Sequence, residues 1–97
     1  MLKSKQRSEL KKLANTLEVT LTMGKNSITD AFLKELEVQF KAHELVKIHI
    51  LDKDLDVKEL ANEIAKLSRS EYVQSIGSKV VLYKKNYDLP KNKRIEI

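Results

Sequence analysis

The 97 residues include no cysteine, which excludes disulfides, thiolate metal sites and thiol catalysis at once. Histidine is nearly as scarce, and neither His43 nor His49 belongs to a triad-like arrangement. The acidic stretch "DKDLDVKE" lacks the glycine of a calcium loop, and helix capping accounts for its carboxylates. No metal, no cofactor and no catalytic residue is therefore expected, and no enzyme. Long hydrophobic runs are also missing. Nothing approaches the roughly 18 apolar residues of a membrane span, and "MLKSKQRSELKK" has neither the apolar core nor the cleavage site of a secretory signal. The expectation is a cytoplasmic protein without a membrane partner. Glycine occurs only at Gly24 and Gly77, in neither the Walker nor the dinucleotide spacing, which argues against nucleotide-dependent catalysis. No small-molecule substrate is expected.

What is present fits one small domain. An apolar fraction of 41% suffices for one core, while the 34% of charged residues exceeds the usual quarter. The net charge of +5 is unevenly placed. Residues 1–14 carry Lys3, Lys5, Arg7, Lys11 and Lys12 against Glu9 alone; residues 71–97 are again basic, and the middle of the chain is slightly acidic. Charge gathered at both chain ends favours an acidic partner, of which nucleic acid is the commonest for a small basic domain.

Periodicity predicts the elements. Leu10, Leu13, Ala14 and Leu17 stand at the spacing of an amphipathic helix over Ser4 to Leu17, with Lys5, Lys11 and Lys12 off the stripe. "VTLTM" alternates like a strand with one buried face and stops at Gly24. Ser27 is the expected N-cap of a second helix, whose stripe Ile28, Phe32, Leu36 and Phe40 reaches about His43. "LVKIHIL" places Val46, Ile48 and Ile50 on one face of a strand and Lys47 and His49 on the other. Val57, Leu60, Ala61, Ile64 and Leu67 mark a third helix ending near Ser68. "EYVQSIGSKVVLYKK" reads as an antiparallel hairpin turning at Gly77–Ser78, with glycine first as in type II′. The domain is expected over 1–87, and "DLPKNKRIEI", 88–97, as a loosely held basic tail. The fold class is α/β in the order α-β-α-β-α-β-β, a four-stranded mixed sheet with three helices. Strand order, and which helix covers which face, stay open.

Gly24 stands directly before Lys25, Asn26 and Ser27 at the start of the second helix. A glycine permits both unusual φ and close approach of a ligand, and a helix N-terminus attracts anions. An ordinary strand-to-helix turn explains the same residues. Tyr72, Tyr83 and Tyr87 interleave with Lys79, Lys84 and Lys85, which suits base stacking beside phosphates and equally suits core packing.

Four stretches taken together, "SKQRSELKKLANTLE", "VTLTMGKNSITD", "HELVKIHIL" and "VQSIGSKVVLYK", resemble the bacterial YhbY-type proteins, the stand-alone form of the CRM (chloroplast RNA splicing and ribosome maturation) domain. The resemblance spans about residues 4–84. It implies a fold akin to the C-terminal domain of translation initiation factor three, and RNA binding linked to assembly of the large ribosomal subunit. The family's GKGG loop aligns on "GKNS": Gly24 and Lys25 match, while Asn26 and Ser27 replace the later glycines. Ser27 either obstructs the RNA backbone or caps the helix and leaves neighbouring amides available. The expected RNA-binding residues are Gly24, Lys25, Asn26 and Ser27, with Lys5, Arg7, Lys11 and Lys12 on the first helix and Lys79 and Lys84 near the C-terminus. The expected partner is ribosomal RNA of the large subunit or its precursor. The alternative is a non-enzymatic adaptor for an acidic protein surface on the ribosome or an assembly factor.

Overall fold

The computed structural model describes residues 2–24, 28–51 and 56–95. In chain order these form α1 (Ser4–Asn15), β1 (Leu21–Met23), α2 (Asp30–Ala42), β2 (Leu45–Ile50), α3 (Val57–Ser68), β3 (Glu71–Ile76) and β4 (Lys79–Tyr83), followed by a 3₁₀ turn at Lys91–Lys93. The expected order of three helices and four strands is the observed one. The sheet runs β1-β2-β4-β3, with β1 parallel to β2 and the other two pairs antiparallel. At the hairpin tip Gly77 has φ +57 while Ser78 is not among the positive-φ residues, the pattern a type II′ turn requires.

Alternation along the strands divides the core in two. On one face Val46, Ile48, Ile50, Val80 and Leu82 pack against Phe32, Leu36 and Phe40 of α2 and Leu60, Ala61 and Ile64 of α3. On the other face Leu45, Val73, Val81 and Tyr83 pack against Leu10 and Ala14 of α1, with Leu2, Leu17 and Ile95 partly buried against the same cluster. Full burial of a side chain such as Leu36 or Ile64 contributes about 1.5–3 kcal/mol. The helical stripes are narrower than their spacing suggests. Leu13 and Leu67 are 46% and 53% exposed, so neither belongs to the buried part of its stripe.

Capping corrects one boundary. Thr29, not Ser27, caps α2: its Oγ1 accepts the Phe32 N–H at 3.1 Å, and the helix begins at Asp30. This start lets Ile28 and Leu33, the residues flanking the cap, both pack against the core, the arrangement of a hydrophobic staple. Asp56 caps α3 by accepting the Glu59 N–H at 3.2 Å. At the other end of α1, Lys47 Nζ donates to the carbonyls of Ala14 and Leu17, 3.2 Å each, so a strand cation caps a helix C-terminus.

The stretch after Tyr87 folds back onto the domain as far as Ile95. Glu44, 2% exposed, accepts the Asn86 N–H at 2.7 Å and the Ile95 N–H through its two carboxylate oxygens. Ile95 packs beside the α1 core.

Candidate nucleic-acid interface

The loop that follows β1 leaves the sheet at Gly24. Leu51 N–H donates to Met23 O (3.1 Å) and Ile50 N–H to Ser78 O (2.8 Å), so Gly24, Leu51 and the Gly77–Ser78 turn share one end of the sheet. Across that end Thr22, His49, Lys79 and Ile76 are successive register partners on the four strands. They make one row on the face carrying α1, beyond the part α1 covers: Thr22, Lys79 and Ile76 are exposed and His49 is half-buried. Two strand spacings separate β1 from β4, about 10 Å, so Lys79 can reach a polyanion held at Gly24.

Gly24 is exposed, lacks positive φ, and a Cβ added there would meet nothing within 4 Å among the described residues. The geometry of the described residues therefore does not demand glycine at this position. What the missing Cβ provides is open access to the backbone from outside. Lys25, Asn26 and Ser27 lie outside the described residues. A shallow cleft of about 270 Å³ separates Thr22–Gly24 from the start of α2, and Glu35 lines it while Asp30 occupies the first helical turn. These acids offset the positive end of the α2 dipole, and Lys79 adds positive charge at this end of the sheet.

The remaining expected residues are distributed. Lys5, Lys11 and Lys12 are exposed along α1. Lys12 Nζ lies 3.6 Å from Glu9, but both side chains are well solvated and the pair contributes little. Arg7 is half-buried and its Nη1 donates to the carbonyl of Tyr72, beside the bulge that interrupts the β3–β4 register. Lys84 stands at the opposite end of the sheet, donating to Ser68 O at 3.1 Å, with its Nζ 5.9 Å from the Phe40 ring centre. Gly24 and Lys79 are thus brought together, the α1 lysines are spread over a separate surface, and Arg7 and Lys84 serve contacts within the domain. Among the tyrosines, Tyr83 is buried and Tyr72 bonds Ser75 Oγ at 2.9 Å; Tyr87 is exposed, with Lys85 Nζ 5.0 Å from its ring centre. Burial, then the Glu44 carboxylate, then Tyr87 push the Tyr83 hydroxyl above its ordinary value of 10.0. His49, placed by the sequence on the strand face opposite Val46, Ile48 and Ile50, joins the Gly24 end through its pairing with Thr22 and Lys79, which no local pattern shows.

Residues 2–84 match the family model of the CRS1 / YhbY (CRM) domain. The chain belongs to the CRS1/YhbY (CRM) family. Relatives within reach include the Bacillus subtilis (strain 168) "Probable RNA-binding protein YqeI", 35% identical over 98 residues, covering 100% of this chain and 99% of the relative. A Haemophilus influenzae "RNA-binding protein" is 36% identical over 84 residues, covering 86% and 85% of the two chains. The solution structure of SAV1595 from Staphylococcus aureus matches with a TM-score of 0.82 at 34% identity, over 94% of this chain and 96% of that one. The CRM fold of this chain is therefore that of a solved relative.

Proposed function

We propose that this CRM-family chain binds RNA, and that its target is ribosomal RNA of the large subunit or its precursor, which it accompanies in the cytoplasm as a non-enzymatic assembly accessory. The observation that carries the reading is the exposed Gly24, crowded by none of the described residues, beside the row Thr22, His49 and Lys79. The names of its relatives, which say RNA-binding, and the net charge of +5 support RNA as the class of partner. In this reading the RNA backbone approaches Gly24 closely, Lys79 and the α1 lysines neutralise phosphates, and the His49 ring offers a surface for an unstacked base. The chain does no bond chemistry; its mechanism is binding.

Cross-linking in cells followed by sequencing of bound RNA tests this. The expected result is enrichment over input at defined positions of large-subunit ribosomal RNA or its precursor. Recovery of no RNA above an uncross-linked control would overturn the reading in favour of an acidic protein partner.

A further inference from the structure

A second group of cations lies at the end of the sheet opposite Gly24. There an open cavity of about 660 Å³ lies between the start of α1, the end of β4 and the returning C-terminal stretch. Five cations line it: Arg69, Lys84, Lys85, Lys91 and Arg94. Two carboxylates line it as well, Glu44, both of whose oxygens already accept backbone N–H groups, and Glu71. So many like charges around one hollow repel each other, and an anion among them relieves the repulsion.

Two details make this more than a basic surface. Arg94 Nε is buried and has no hydrogen-bond partner among the described residues, which leaves its desolvation uncompensated by them. Arg69 ends α3 in the left-handed conformation, φ 58 and ψ 38, the only non-glycine among the described residues with positive φ. Helix ends of this kind ordinarily use glycine or asparagine, because a Cβ is strained there. Stability alone would favour glycine at 69. The arginine instead sets an exposed guanidinium on the cavity rim, where its planar fork matches two phosphate oxygens.

We propose that this cavity is a second RNA-phosphate site, in which Arg69, Lys91 and Arg94 hold a backbone phosphate of an RNA whose other part lies against the Gly24 end. β2 spans the distance between the two ends, about 20 Å for a strand of this length, so the bound RNA runs along the sheet rather than touching one loop. The proposal rests on the RNA-binding reading above.

Filter binding of radiolabelled large-subunit ribosomal RNA to the full chain, across a salt series, tests it with Arg69→Gly and Arg69→Asn, both compatible with left-handed backbone. The expected result is a Tm equal to or above that of the unaltered chain, an affinity about threefold to tenfold weaker, and a log K against log salt slope shallower by about 0.7–0.9, one phosphate contact. If the unaltered chain binds and both variants keep its affinity and slope, the second site is overturned and the Gly24 reading stands. If the unaltered chain binds no RNA, both are overturned.

Discussion

At the Gly24 end of the sheet, a three-residue strand runs out into a glycine that none of the described residues crowds. At the opposite end Glu44 gathers the N–H groups of Asn86 and Ile95, Asn86 Nδ2 donates to Phe40 O at 3.1 Å, and Lys84 N–H donates to Glu44 O at 2.8 Å. The contrast separates two roles. Where the chain makes few contacts with itself, a substitution is felt by a partner; where it makes many, the fold feels it first. Arg69 crosses the division: it stands at the densely bonded end, yet its conformation costs stability and its side chain faces outward.

The largest effect that sharpens this comparison is Glu44→Ala. Removing the carboxylate strands two amide donors, at a cost of about 3 kcal/mol, and calorimetry should show Tm falling on the order of 10–20 °C. Glu44→Gln, which keeps one acceptor, should lose about half as much. A fall of only a degree or two for Glu44→Ala would break the contrast between the ends. Next is Lys79→Ala, which should weaken RNA binding by about threefold to tenfold with Tm nearly unchanged, since surface changes of this kind stay within about 0.5 kcal/mol. Gly24→Ala is smaller. It should leave stability equal, or raise it by about 0.4–1 kcal/mol through the unfolded chain, while RNA affinity drops; a lowered Tm would show that the chain itself needs glycine there.

The smallest effect is alkaline. The Tyr83 hydroxyl is raised above 10.0 by burial first and by Glu44 second. Below about 10 the proton is bound in both folded and unfolded states, and stability is intact. As pH rises from there through the folded value, the unfolded chain releases the proton more readily, and stability falls. Tyr83→Phe should flatten part of that decline in denaturant midpoints measured across the alkaline range. An identical decline in both proteins would show that Tyr83 does not contribute.

Much of this was legible in the chain. The alternation of Val46, Ile48 and Ile50 against Lys47 and His49 identifies the two faces of β2, and Gly77–Ser78 marks the hairpin turn, because both signals are local. The strand order β1-β2-β4-β3 is not local: a period-two pattern says which side is buried and nothing about the neighbour. Glu44 reads as an ordinary acid after a helix, since the amides that bury it come from residues 86 and 95. The Gly24 loop was visible through its family resemblance, whereas the cavity around Arg69 was not. Its one local sign is "LSRSEY", a helix end with no glycine or asparagine to take the left-handed position.

The central claim is that this chain holds RNA through phosphates along its sheet, and salt dependence measures it most directly. Binding of the unaltered chain to large-subunit ribosomal RNA, followed from low to moderate salt, should give a linear log K against log salt plot with a slope of about −2 or steeper, corresponding to three or more phosphates. A flat plot, or no binding at low salt, would contradict the account.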